Sequence, residues 1–127
     1  MDSNQFFVAG INYRKSDTGI RGDFAVNTDQ YASLLQKAGR AGLSELFVLS
    51  TCNRTEIYGL TDDVNLLVSL LCGETTGDAD TFRQLCYIQQ GNEAIEHIFS
   101  VAAGLDSQIL GDYEIVGQVK MAIRFAK

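Results

Sequence analysis

Cys52 and Arg54 stand two positions apart in a polar stretch, Ser50-Thr51-Cys52-Asn53-Arg54, between two apolar segments. Leu46-Phe47-Val48-Leu49 before it reads as a buried strand, and Thr55, Ile57 and Tyr58 after it suit a second. A thiol at the end of a strand lies at the rim of a sheet, where a rigid scaffold presents its loops. A guanidinium two residues on can grip a carboxylate through two parallel hydrogen bonds. It also favours the thiolate, which is the nucleophilic form, over the thiol. Plainer readings stand beside this one, with Cys52 a small packing residue and Arg54 a solvated turn charge. The polar neighbours on both sides of Cys52 do not suit a core position and favour the nucleophile.

His97 is the only histidine in the chain. An imidazole titrates near neutral pH, as a proton shuttle must. On an apolar-leaning helix it also suits a purely structural role. Cys72 and Cys86 fall in apolar segments and read as packing residues. No cluster has the ligand count for zinc, so no metal is expected.

The elements that must position these residues follow from periodicity. Phe6-Phe7-Val8-Ala9-Gly10-Ile11 is a buried-strand candidate, and Arg14 to Asp23, with two glycines and five charges, reads as a loop. Asn27 can cap a helix, with Gln30 three residues later as a partial capping box. Tyr31, Leu34, Leu35 and Ala38 then form an apolar stripe that Gly39 and Gly42 end. Strands at Glu45 to Ser50 and Arg54 to Leu60 pair around the Cys52 turn. Thr61 caps a second helix with the stripe Val64, Leu67, Val68 and Leu71, which Gly73 to Gly77 breaks. Leu85-Cys86-Tyr87-Ile88 reads as the fourth strand.

Strand, helix, strand, strand, helix, strand over residues 1–90 is the order of a ferredoxin-like α+β fold. It predicts an antiparallel βαββαβ sheet with helices on one face. Residues 91–127 read as a helical part. Ala94, Ile95, Ile98, Phe99 and Ala102 repeat with helical spacing, and Ile115, Val119, Ala122, Ile123 and Ala126 do so again. That last stripe runs to Lys127 with no stop signal, so the chain is expected to be the front part of a longer protein. No Gly-x-Gly-x-x-Gly follows a strand, so no dinucleotide site is expected within these residues.

The 127 residues are one domain, or one domain with a small appendage, and are 46% hydrophobic and 20% charged. There is no membrane-length apolar run and no signal-peptide pattern at the N-terminus. The odd number of cysteines, three, fits a reducing cytoplasm better than a disulfide framework. A net charge of −6 argues against general nucleic-acid affinity, although it permits a local basic patch such as Arg14, Lys15 and Arg21.

The run Ser50-Thr51-Cys52-Asn53-Arg54-Thr55-Glu56-Ile57-Tyr58 resembles the signature of the glutamyl-tRNA reductase family. A second block, His97 to Ser107 continuing through Gly117-Gln118-Val119-Lys120, resembles that family too, in the same order. The resemblance implies the N-terminal catalytic domain of an NADPH-dependent enzyme that reduces glutamyl-tRNA to glutamate-1-semialdehyde, the first step of tetrapyrrole synthesis. It implies a Cys52 thioester, with His97 as a second catalytic residue. Thr51, Asn53, Arg54, Ser107 and Gln118 match substrate-contacting positions, with Arg54 on the glutamate side-chain carboxylate. Asp112, Tyr113 and Glu114 occupy further such positions but depart from the family's usual Glu, Pro and Gln. Tyr13 stands where the family has a histidine, and the loop after it lacks the usual proline. NADPH is expected on a domain outside this chain, as is a dimerisation domain that would make a homodimer. Hand-over of product to glutamate-1-semialdehyde aminomutase is a further implication. Two readings from other classes stand beside this one. The first is a non-catalytic ferredoxin-like module binding a small acidic ligand at Arg54. The second is a cysteine hydrolase, which needs a base held close to the thiol.

Overall fold

The computed structural model describes residues 5–12, 17–43, 45–51 and 53–103. Among these residues nine elements run in chain order: β1 (Phe6–Asn12), α1 (Thr18–Asp23), α2 (Thr28–Arg40), β2 (Leu46–Ser50), β3 (Arg54–Leu60), α3 (Val64–Glu74), α4 (Ala79–Leu85), β4 (Tyr87–Gln90) and α5 (Asn92–Ala102). The four strands form one sheet in the order β2-β3-β1-β4. Every neighbouring pair is antiparallel, with Ala9 opposite both Ile57 of β3 and Ile88 of β4, and Val48 opposite Ile57.

Alternation along the strands divides the sheet into two faces. On one face Ala9, Ile11, Leu46, Val48 and Ile57 pack with Leu34 and Ala38 of α2, Leu67, Val68 and Leu71 of α3, and Phe82 of α4. The expected one-sided helical layer holds for these elements, and Ile20 of α1 joins it. The other face is covered as well: Val8, Tyr58, Phe6 and Phe47 meet Ala94 and Ile98 of α5, and Leu49 meets Val101. Burial on both faces is why β1 is apolar at successive positions rather than alternate ones. Phe99, expected in the α5 stripe, lies outside it and is exposed.

Local chemistry sets the helix starts. The Asn27 side chain accepts from Gln30 N–H while Gln30 accepts from Asn27 N–H, each at 2.8 Å, so the predicted capping box is present. α3 begins two residues later than expected: Asp63 caps it by accepting from Asn65 N–H, and Thr61 hydrogen-bonds Asp63 instead. Two short helices were not expected. Asp17 accepts from Ile20 N–H to start α1 where a loop was predicted, and Asp78 accepts from Thr81 N–H to start α4. Neither is long enough to show a stripe. Leu85 consequently ends α4 instead of opening β4, which starts at Tyr87. Cys72 and Cys86 are half-buried and pack against the larger core, and burial pushes the Cys72 thiol upward. At the open edge of β2, the Tyr31 hydroxyl oxygen accepts the Val48 N–H at 3.0 Å. No helix among the described residues is long and apolar enough to cross a membrane.

Candidate functional site

The β2–β3 hairpin brings the first motif to the rim of the sheet. Ser50 pairs with Thr55, Thr51 N–H donates to Arg54 O at 2.8 Å, and Asn53 N–H donates to Thr51 Oγ1 at 3.2 Å. Cys52 lies outside the described residues, but both its covalent neighbours are placed: Thr51 is half-buried and Asn53 buried. Along β3 the two-residue period then sends Arg54, Glu56 and Tyr58 to the face that α5 covers. Asn12 of β1, opposite Arg54 in register, is also buried.

Arg54 and Glu56 are completely buried. The reading of Arg54 as a solvated turn charge is therefore corrected: β3 starts at this residue and turns it under α5. A buried carboxylate is costly unless it is surrounded by donors and cations, and Glu56 has both. Its Oε1 accepts from the Tyr58 hydroxyl at 2.9 Å, and its Oε2 accepts from the Tyr87 hydroxyl at 2.5 Å. The His97 Nε2 also hydrogen-bonds Oε2, and Arg54 Nη1 lies 3.6 Å from the same oxygen. Burial, then the negative charge and hydrogen bond of Glu56, push the Tyr58 phenol well above its usual range, so it is held as a donor.

Gly10 makes this arrangement possible. It sits opposite Glu56 on one side and opposite Tyr87 on the other. A Cβ at residue 10 would stand 2.7 Å from Glu56 Cγ and 3.0 Å from the Tyr87 hydroxyl oxygen. The missing side chain is the gap across which Tyr87 reaches Glu56. The Tyr87 ring then lies 5.3 Å from the His97 ring, tilted by 52°. The His97 side chain retains 11% of its exposure while Arg54 and Glu56 have none. Of these three groups the imidazole is thus the one nearest to solvent.

Of the sequence-predicted site residues, the structure places Thr51, Asn53, Arg54 and His97, and it brings Arg54 and His97 to one carboxylate. Ser107, Asp112, Tyr113, Glu114 and Gln118 lie outside the described residues, as does Tyr13. Glu56, Tyr87 and Gly10 were not singled out. The available signal was an acidic residue inside a strand and followed by Ile57 and Tyr58, a position that folding tolerates only with partners.

A family model described as Glutamyl-tRNAGlu reductase, N-terminal domain, matches residues 9–127. A glutamyl-tRNA reductase of Flavobacterium psychrophilum is 45% identical over 124 residues, covering 98% of this chain and 30% of the relative. One from Christiangramia forsetii is 44% identical over 117 residues, 92% of this chain and 28% of the relative. Among solved structures, the glutamyl-tRNA reductase from Methanopyrus kandleri superimposes with a TM-score of 0.74 at 26% identity, covering 97% of this chain and 28% of that one. The chain thus spans just under a third of the length of these relatives. A domain match across both motifs and a shared four-stranded antiparallel fold agree: the chain belongs to the glutamyl-tRNA reductase N-terminal domain family.

Proposed function

We propose that this chain is the part of a glutamyl-tRNA reductase that takes the glutamyl group from tRNA. The Cys52 thiolate attacks the carbonyl carbon of the ester, the carbon–oxygen bond to the tRNA ribose breaks, and glutamate is retained as a thioester. The departing ribose oxygen takes a proton, and His97 supplies or directs it. Arg54 selects glutamate over glutamine by pairing with the side-chain carboxylate. Because Arg54 is sealed from solvent, that carboxylate has to displace whatever covers the guanidinium. Thr51 and Asn53 flank the nucleophile, and Ser107, Gln118 and positions 112–114 complete the substrate contacts. The whole protein would deliver glutamate-1-semialdehyde to tetrapyrrole synthesis as a cytoplasmic homodimer that hands its product to the aminomutase.

The observation that carries this reading is the meeting of the two motif blocks. Glu56 of the first and His97 of the second, 41 residues apart, are joined by a hydrogen bond. The sheet is read as ferredoxin-like because β1 and β2 both run antiparallel to β3 between them, the split βαβ arrangement. The resemblance supplies NADPH as the hydride donor, held by a domain beyond this one. The described residues do not fit a dinucleotide: all strand pairs are antiparallel, and no glycine-rich turn leads from a strand into a helix. On this reading the hydride step belongs to that other domain, and Cys52 with its neighbours carries the glutamyl group as far as the thioester.

The test is glutamate transfer from radiolabelled glutamyl-tRNA. A glutamyl adduct on Cys52 and slow release of free glutamate are expected, both lost in Cys52→Ser. Release at full rate by Cys52→Ser refutes the mechanism, and it is what a module with a bystander cysteine would give for any adventitious hydrolysis.

A further inference from the structure

Glu56 has no part in the chemistry above, yet the site is assembled around it. A carboxylate needed only to neutralise Arg54 would take the guanidinium in a close, two-pronged pair. Here Arg54 Nη1 stays at 3.6 Å, outside hydrogen-bond distance, while Oε2 is occupied by the Tyr87 hydroxyl and the His97 ring. The hydrogen-bonding capacity of the buried carboxylate is thus directed at the imidazole and the two phenols.

Direction follows from chemistry. Tyr58 and Tyr87 donate, so both oxygens of Glu56 act as acceptors. With Glu56 ionised, the carboxylate can only accept, so the His97 Nε2 facing Oε2 carries a proton and a neutral ring keeps its lone pair on Nδ1. A side chain whose one nitrogen is anchored by a buried carboxylate has both its tautomer and its ring plane set. We propose that Glu56 is a positioning residue that fixes His97 as the Nε2–H tautomer, leaving Nδ1 as the nitrogen that meets the reacting groups. Tyr87, admitted by the bare Cα of Gly10, holds the carboxylate in place for it. The identity of those reacting groups rests on the function proposed above, whereas the tautomer does not.

His97 is the only histidine in the chain, so ring-15N labelling gives a single imidazole to observe. Long-range proton–nitrogen correlation at about pH 9, where a free imidazole is neutral, is expected to show the proton on Nε2 and an unprotonated Nδ1. In Glu56→Gln, whose amide can donate as well as accept, a mixture of tautomers is expected. Glutamyl transfer should then fall roughly 10- to 100-fold in kcat with KM for glutamyl-tRNA little changed, the scale for loss of an orienting partner. Tyr87→Phe should keep the tautomer and give a smaller loss in kcat. A wild-type ring protonated on Nδ1, or on both nitrogens, overturns the proposal, as does an unaltered tautomer in Glu56→Gln. If Glu56→Gln fails to fold, the wild-type spectrum and Tyr87→Phe decide. Nε2–H with transfer that ignores Cys52→Ser would leave this inference standing and sink the proposed function; the opposite tautomer with Cys52-dependent transfer would do the reverse.

Discussion

Replacing Gly10 with alanine adds one methyl group at the centre of the sheet, and its consequences can be worked out from three distances. The new Cβ would meet Glu56 Cγ at 2.7 Å, and the Thr55 carbonyl oxygen and the Tyr87 hydroxyl oxygen at 3.0 Å each. The carbonyl belongs to the β3 backbone and cannot move alone, so the side chains must yield. If they stay, overpacking costs roughly 1–3 kcal/mol. If Tyr87 withdraws instead, a hydrogen bond to a buried carboxylate is lost, at about 1.5–3 kcal/mol. These are alternatives, so they do not add. Alanine in place of glycine in a strand recovers roughly 0.5–1 kcal/mol. The net destabilisation should be up to roughly 2.5 kcal/mol, read as a lower urea midpoint at unchanged slope. The sharper test is a double-mutant cycle. In a Tyr87→Phe background the hydroxyl is already gone, so Gly10→Ala should cost at least about 1 kcal/mol less than in the wild type. Additivity within about 0.3–0.5 kcal/mol would refute the reasoning. It would mean that the glycine makes room for backbone and not for the Tyr87–Glu56 bond.

Arg54→Lys keeps the charge but replaces a planar fork with a point charge, so kcat/KM for glutamyl-tRNA in the full-length enzyme should fall about 10- to 100-fold, or roughly 1.5–3 kcal/mol. Unchanged kinetics with reduced stability would show that Arg54 serves Glu56 rather than the substrate. Alkaline stability should be set partly by phenols. Burial raises Tyr31 to about 12, against the smaller opposing effect of the Val48 N–H it accepts, and Tyr58 is raised as well. A raised folded-state value means that stability is fully present below about pH 10 and is lost as the unfolded chain ionises first above it. The Tyr31 share is lost between about pH 10 and about 12. Urea midpoints measured from pH 8 to 12 should decline, and less steeply in Tyr31→Phe; parallel declines would remove Tyr31 from the account.

What was legible in the sequence was what lies close along the chain. The Asn27–Gln30 box and the Leu34, Leu67 and Leu71 stripes depend on neighbours within a turn or two, and they stand where expected. The hairpin after Leu46 was legible because a polar run between two apolar strands has few other solutions. α1 and α4 were missed because six or seven residues cannot display a helical period, and only Asp17 and Asp78 hinted at their starts. Glu56 was missed for another reason. Its partners Tyr87 and His97 lie 31 and 41 residues away, and strand order alone brings them together. Reading Leu85 into β4 hid the same fact, since Tyr87 looked like the middle of a strand instead of its first residue, opposite Gly10.

The hydrogen bond from Val48 N–H to Tyr31 also bears on how the molecule behaves in company. β2 is a short outer strand with the core Leu46-Phe47-Val48-Leu49, uncharged and rich in residues that favour extended chains. A bare edge of that composition is a template on which another copy could add a strand, the first step towards aggregation. With its central amide already engaged by the Tyr31 phenol, the edge offers an incoming strand no matching ladder at Val48. Tyr31 therefore guards the colloidal behaviour of the protein. The guard comes from α2, which packs on the opposite face of the sheet from the Glu56 cluster, so edge protection and that cluster are free to change independently.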